Sequence, residues 1–337
     1  HRALFAGGCV RDALLGRALK DVDIATSATP DQVEAIFPGQ TVAVGKAFGV
    51  VLVLRGGFQF DVATFRADGA YADGRHPEGV TFAAAAEDAQ RRDFTVNGLF
   101  CEPESGEVID FVGGLADLDS RVIRAIGEPA VRFREDHLRM LRAVRFASVL
   151  GFEIEPATRA ALAAHAADIR RVSAERVAAE FIRLLCESPR PSVGLDLLRE
   201  TGLLAHFLPE IEALHGTAQP PEYHPEGDVW THTCRMLDEL PAPREPELAL
   251  GVLLHDVGKP ATYCEQRDAE TGSTRIRFPN HAPVGAELAQ AILLRLKQPT
   301  TRVEAVEALV AGHMQFVEAT KMRRAKLRRF LGSANFS

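Results

Sequence analysis

The pair Asp21 and Asp23, in KDVDIAT, constrains this chain more than any other feature. Side chains alternate faces along a strand, so aspartates two apart point the same way if a strand carries them. Two like charges held together cost free energy unless a cation neutralises them. Alone, D-x-D also reads as a loop or capping pattern, so its surroundings decide. GGCVRD precedes it, with Gly7, Gly8 and Arg11, and FQFDVAT follows, with Asp61 at an alternating position that can face the pair. Three carboxylates from neighbouring strands make a cage for Mg2+, which takes hard oxygen ligands and keeps positions open for phosphate. A glycine pair lets backbone N–H groups approach a triphosphate, and Arg11 can pair with its charge. The plain alternatives are a tight turn for Gly7-Gly8 and a surface ion pair for Arg11-Asp12.

The rest of the chain sorts into two halves. Up to about residue 117, β-rich runs at Ala3 to Phe5, Val22 to Ala25, Val50 to Leu54, Phe58 to Ala63 and Val108 to Phe111 alternate with turns. Thr29-Pro30-Asp31-Gln32 predicts a helix start with a capping box, ending at Phe37 before Pro38-Gly39. The polar stretch Ala67 to Gly79 reads as a mobile loop. Beyond Asp117 the periodicity is helical, with an apolar stripe through Leu138, Leu141 and Val144 and a helix from Ala174 to Cys186 capped by Ser173. Breaks fall at Pro189 to Pro191 and at Gly216 to Pro225.

With 337 residues, 46% apolar and 25% charged, the chain suits a soluble protein of about two or three domains, and no apolar run is long enough for a membrane span. Five scattered cysteines, none in C-x-x-C spacing, point to a reducing cytoplasm. No signal peptide is visible, and the first residue is His1, so a native N-terminus is expected to be missing. The net charge of −7 argues against wholesale nucleic-acid coating, yet charge is uneven. From Ser120 to Phe146 seven arginines (121, 124, 132, 134, 139, 142, 145) face three acids (Glu128, Glu135, Asp136), and Lys321 to Ser337 holds six basic residues and no acid.

Six motifs in order resemble the class II tRNA nucleotidyltransferases, which include CCA-adding, CC-adding and A-adding enzymes and bacterial poly(A) polymerases. They are GGCVRD, KDVDIAT, RRDFTVNGL at 91–99, DFVGGLADLDSRVIRAIG at 110–127, EDHLRMLRAVRFA at 135–147 and ERVAAEF at 175–181, and the resemblance covers residues 1 to about 215. It implies an α+β fold: an N-terminal polymerase-beta-like nucleotidyltransferase head with a small mixed sheet, followed by all-helical neck, body and HD domains. The expected boundaries are 1–118 for the head, 119–150 for a base-selecting neck, 151–215 for the body and 216–337 for an HD-like domain. The resemblance puts Mg2+ on Asp21 and Asp23, with Asp61 joining them in catalysis. Triphosphate contact falls near Gly7, Gly8 and Arg11, and ribose and phosphate contact on Arg92, Asp93 and Asn97. Base selection falls on Asp136 and Arg139, with Arg142 and Arg145 of the same segment also expected to bind nucleotide.

Bare chemistry agrees with that base-selecting role. Asp136 only accepts hydrogen bonds and Arg139 only donates, and both cytosine and adenine present an amino group beside a ring-nitrogen acceptor. Uracil and guanine oppose a carbonyl to the carboxylate, which leaves buried groups unpaired. The competing reading is an ordinary ion pair between Asp136 and Arg139 at i, i+3 on a helix. The stretch Arg66 to Pro77 resembles the flexible loop of CCA-adding and A-adding enzymes and favours addition of A. Two departures from the family pattern are Arg75-His76-Pro77 in place of R-R-P and His137 in place of a proline.

A second set of residues, His224, His232, His255-Asp256, His281 and His313, resembles the HD superfamily of metal phosphohydrolases. That likeness implies a second divalent metal on His232, His255, Asp256 and His281. The aspartate that closes the HD pattern is not found before Ser337, so this end is expected to be truncated or the metal site incomplete. The function expected from the whole is template-independent addition of A, with C left open, to the 3′ end of tRNA from ATP and CTP with Mg2+. The arginine-rich neck and basic end segment are expected to contact RNA phosphates. A separate CC-adding enzyme is the expected partner if only A is added. The alternatives are a poly(A) polymerase on general RNA and an HD-type hydrolase of RNA 3′ phosphates.

Overall fold

The computed structural model describes residues 1–19, 21–43, 45–68, 80–267, 274–317, 322–325 and 328. Most of the stretch Ala67 to Gly79, the Arg66–Pro77 loop from residue 69 on, and most of the basic end segment lie outside them. The described chain forms two compact units, one of residues 1–143 and 152–165, the other of residues 144–151 and 166–337.

The first unit is built on a seven-stranded mixed sheet. Its strands in chain order are β1 (Ala3–Ala6), β2 (Asp23–Thr26), β3 (Thr41–Val42), β4 (Val50–Arg55), β5 (Phe58–Thr64), β8 (Leu99–Cys101) and β9 (Val108–Asp110), with β6 (Arg66–Asp68) and β7 (Val80–Phe82) pairing as a separate ribbon. The spatial order is β3-β4-β5-β2-β1-β8-β9, and only β2 and β5 run parallel. Leu4, Ala6, Ala25 and Phe100 pack one face against Ala85 and Ala89 of α3 (Ala85–Gln90), and Val51, Val53 and Val62 pack the other against Val33 of α2 (Pro30–Ile36). Helix α1 (Gly8–Leu14) follows β1 directly. The capping box of α2 is present as the sequence predicts: Thr29 Oγ1 accepts from Gln32 N, and Thr29 N donates to Gln32 Oε1 at 2.9 Å. Helices α4 (Gly114–Ser120), α5 (Pro129–Glu135), the start of α6 (Arg139–Leu150) and α7 (Pro156–His165) complete this unit, with a parallel ribbon of β10 (Val122–Ile123) and β11 (Glu153–Ile154).

The second unit is helical. It runs through α8 (Ala174–Glu187), α9 (Pro191–Glu200), α10 (Leu204–Phe207), α11 (Pro209–Glu212), α12 (Val229–Glu239), α13 (Pro246–Leu254), α14 (Lys259–Thr262), α15 (His281–Arg295), α16 (Thr300–Gly312) and α17 (Met314–Val317). One antiparallel ribbon, β12 (Cys264–Arg267) with β13 (Thr274–Arg277), stands beside these helices. Ser173 occupies the N-cap of α8 as predicted, but its hydroxyl makes no capping bond. The prolines at 191, 209 and 246 sit in first turns, where the missing N–H costs nothing.

Candidate functional site

Parallel pairing of β2 with β5 sets Asp23 directly opposite Asp61, so their side chains leave the sheet on the same face. Asp21 does not share that strand, because β2 begins at Asp23; it is exposed just before the strand, and its charge still acts on Asp23. Burial and then the Asp61 charge raise the Asp23 carboxyl above its ordinary range, with Arg92 opposing. Arg92 offsets the rise only in part, which leaves room for a further positive charge beside Asp23. The donor set is hard oxygen only, which fits Mg2+.

The turn before α1 explains the glycine pair in part. Gly7 has φ +73°, and a Cβ there would lie 2.7 Å from Arg92 Nη1. Its own N–H is not offered to a ligand, because it donates to Leu99 O at 2.8 Å. Gly8 opens the helix, where the first N–H groups have no intrahelical acceptor. Arg11 does pair with Asp12, at 2.8 Å, but it is 7% exposed and no surface residue. Its Nη1 donates to Asn97 Oδ1, Asn97 Nδ2 donates to Asp93 Oδ1 at 3.0 Å, and Arg142 donates twice to Asp93 Oδ2 at 2.8 and 2.6 Å. Four predicted residues thus form one continuous hydrogen-bonded chain. Burial alone would raise the Asp93 carboxyl, but Arg142, Asn97 and the Phe94 N–H hold it well below the usual range.

The residues behind this chain were not anticipated. Asp88, 1% exposed, takes Arg91 at 2.7 Å and Arg92 at 2.9 Å. Glu135 takes Arg132 and Arg139, both at 2.6 Å, while Arg139 also donates to the carbonyls of Arg132 and Arg91. Arg139 is therefore paired at i, i+4 with Glu135 and not with Asp136, whose Oδ1 accepts from Leu138 N at the start of α6. Arg145 departs furthest from expectation: at 2% exposure it is inside the protein, bonded to Glu180 at 2.5 Å. Arg124 pairs with Asp117 and Glu155. Of the seven arginines between Ser120 and Phe146, five are held by acids; Arg124, one of these five, is exposed, as are Arg121 and Arg134. The expected basic face is much reduced, because the sequence shows charges without their partners.

In the second unit the histidines converge on a cavity of about 730 Å3. Asp256 is at its floor, 2% exposed. His255 Nε2 lies 3.0 Å from Oδ2 and His232 Nε2 4.0 Å from it; His281 Nε2 and His313 Nε2 lie 3.6 and 3.7 Å from Oδ1. Lys259 Nζ sits 2.7 Å from Oδ2 and supplies positive charge. Burial would raise the Asp256 carboxyl, but His255 and Lys259 hold it well below the usual range. Burial lowers His232 and His313, which keeps their imidazoles neutral and able to ligate. Neutral imidazoles around one ionised carboxylate fit a divalent transition metal. His313 joins the four residues expected at this site, and Glu226, which no sequence signal marked, bonds both His224 and His232, at 3.0 and 2.6 Å. Burial raises the Glu226 carboxyl, but these two imidazoles help bring it down to about 2.

Comparison with known proteins follows the same division. Three family models match in order: "Poly A polymerase head domain" over residues 3–124, "Probable RNA and SrmB- binding site of polymerase A" over 151–214 and "HD domain" over 227–331. The class so defined is a nucleotidyltransferase head joined to an RNA-binding segment and an HD domain, and both end domains imply use of divalent metal. The CCA-adding enzyme of Anoxybacillus flavithermus is 48% identical over 212 residues, 63% of this chain and 52% of that protein. That of Geobacillus thermodenitrificans is 49% identical over 208 residues, 61% and 51%. The crystal structure of the Bacillus stearothermophilus CCA-adding enzyme in complex with CTP superposes with a TM-score of 0.73 at 34% identity, covering 96% of this chain and 69% of that one. The chain belongs to the class II tRNA nucleotidyltransferase family and carries a C-terminal HD domain. It spans about half the length of the curated relatives it matches. Among the described residues no helix is long and apolar enough to cross a membrane.

Proposed function

We propose that this chain is a template-independent nucleotidyltransferase that adds A and C to the 3′ end of tRNA, from ATP and CTP with Mg2+, to form or complete the CCA end. The observation that carries this reading is the Asp23–Asp61 register pair beside Gly7 and Arg92, with the Arg11–Asn97–Asp93–Arg142 chain next to it in the sequence motifs. The relatives' naming as CCA-adding enzymes and the CTP bound to the Bacillus stearothermophilus protein support it.

Asp21, Asp23 and Asp61 would hold the metal, which when bound lowers the pKa of the attacking 3′-hydroxyl and neutralises the leaving pyrophosphate. Gly7, lacking a Cβ, keeps Arg92 close to the metal-holding face. Asn97 and Asp93 are held rigid by Arg11 and Arg142 and would place ribose and phosphate without further ordering cost. Arg139 has five N–H donors, and its three hydrogen bonds leave Nε and one Nη2 hydrogen for a ring nitrogen. Asp136, whose Oδ1 accepts from Leu138 N, would accept from the amino group of cytosine or adenine. Binding of tRNA would rest on Arg121, Arg134 and the basic end segment. The five cysteines are all free thiols, which suits work in the cytoplasm.

Primer extension tests this directly, on tRNA transcripts ending before CCA, after the first C and after CC, each with labelled CTP or ATP. The expected result is C, C, then A on the shortest transcript. A single A on the CC-ended transcript alone would reassign the chain to A addition with a CC-adding partner. Long A tracts would reassign it to poly(A) synthesis, and no incorporation would overturn the proposal.

A further inference from the structure

The structure assigns to Glu226 a positioning role in the histidine cavity: its carboxylate fixes His232 in the tautomer that presents Nε2 to Asp256, and the same oxygen draws His224 into the imidazole set. His255, His281 and His313 each direct Nδ1 at the carbonyl three residues earlier, Val252 O at 2.8 Å, Phe278 O at 2.9 Å and Val310 O at 2.7 Å. A carbonyl only accepts, so each of these rings carries a proton on Nδ1 and turns Nε2 toward Asp256. Their position at helix ends makes this arrangement available. His255 and His313 follow the last turns of α13 and α16, where carbonyls lack intrahelical partners, and Phe278 precedes α15.

His232 cannot copy them, because it lies inside α12, where the backbone carbonyls are engaged in the helix. Its Nδ1 turns to Glu226 Oε1 at 2.6 Å. His224, outside any helix, donates Nδ1 to the same oxygen at 3.0 Å and stacks edge-on against His232, with ring centroids 4.8 Å apart. Both rings line the cavity. A carboxylate-held imidazole is also a more basic ligand than a carbonyl-held one. Of the four rings within 4.0 Å of Asp256, His232 is the farthest, at 4.0 Å, and the one whose direction depends on a side chain from outside its own helix.

The test uses the full chain and two readouts. In the metal-free protein, two-bond 1H–15N spectra report the tautomer of each imidazole; Co2+ titration by calorimetry reports affinity. Glu226→Ala and the volume-keeping Glu226→Met are expected to give His232 a mixed tautomer, leave His255, His281 and His313 unchanged, and raise the Co2+ Kd by about 10- to 100-fold. Glu226→Gln, whose amide oxygen still accepts, is expected to restore the His232 tautomer and most of the affinity. Circular dichroism identifies folded variants, and Glu226→Met serves if Glu226→Ala does not fold. A folded variant without an acceptor at 226 that keeps both the wild-type tautomer and the wild-type Kd would overturn the assignment, even if it melted earlier.

Discussion

The carboxylates of the head and the histidines of the C-terminal unit solve the problem of holding a cation in opposite ways. At the head, Asp61 and Asp21 are exposed and Asp23 is half buried, and among the described residues Arg92 is the cation that opposes the repulsion acting on Asp23. In the C-terminal unit Asp256 is buried, already bonded to His255 and Lys259, and ringed by imidazoles whose far nitrogens are tied to carbonyls or to Glu226. The first arrangement suits a hard ion that arrives and leaves with phosphate oxygens, since Mg2+ is usually shared between one or two carboxylates and substrate. The second suits a resident ion in a fixed shell. An open site keeps its electrostatic strain until substrate comes, whereas a closed one has dispersed it in hydrogen bonds.

The sharpest way to break this contrast is Asp23→Ala. Incorporation of labelled nucleotide should fall by about 10³-fold, the loss of several kcal/mol of charge stabilisation, while Co2+ affinity at the histidine cavity stays at its wild-type value. Next in size, Asp256→Ala should lower stability by about 3 kcal/mol in urea unfolding, because it leaves the Lys259 ammonium buried without its carboxylate. Nucleotide incorporation should hold within about twofold, as the substitution lies outside the head.

Two smaller effects concern pH and have opposite signs. Asp93 is depressed in the folded state, so its stabilisation is fully present above the ordinary carboxylate range, about pH 4, and is lost as pH falls below it. Asp93→Asn should flatten that acid limb in denaturant midpoints taken between pH 3 and 6, on the order of those values. Asp23 is raised, so the folded state favours its protonated form, and the metal-free protein should lose stability as pH climbs through that raised value. Asp61→Asn should make this slope shallower and stabilise the metal-free protein by up to about 1 kcal/mol. If Asp61→Asn destabilised it instead, the head site would not be electrostatically strained.

What could be read from the sequence was local or belonged to a motif. The capping box of α2, the runs that became β1, β2, β4, β5 and β9, and the helical character after Asp117 all follow from nearest neighbours along the chain. Strand β8 escaped notice, as three residues in a glycine-flanked stretch carry too little periodicity. The condition that Asp21 share a strand with Asp23 is not met, since strand ends depend on pairing and β2 pairs with β5 only from Asp23. Long-range partners were the main blind spot. Arg145 and Glu180 are 35 positions apart, and Arg142 and Asp93 are 49 apart, so charge composition suggested a basic surface where ion pairs lie. Glu226 was hidden for the opposite reason: a carboxylate in a Pro-Glu-Gly turn looks like any solvated loop residue.

The Asp93–Arg142 contact bears on where the chain can be cut. The head family model ends at residue 124, yet Asp93 is bonded to a residue 18 positions further on, Thr158 Oγ1 accepts from Ala125 N at 3.2 Å, and β10 is paired with β11 beyond residue 150. A fragment ended at 124 would leave the Asp93 carboxylate and β10 without these partners and strip the network around Asn97 of its outer arginine. An autonomous catalytic piece needs the segment 152–165 as well as the start of α6. In this protein the boundary recognised by likeness and the boundary respected by folding fall at different residues, and recombination between relatives at the first of them would sever the second.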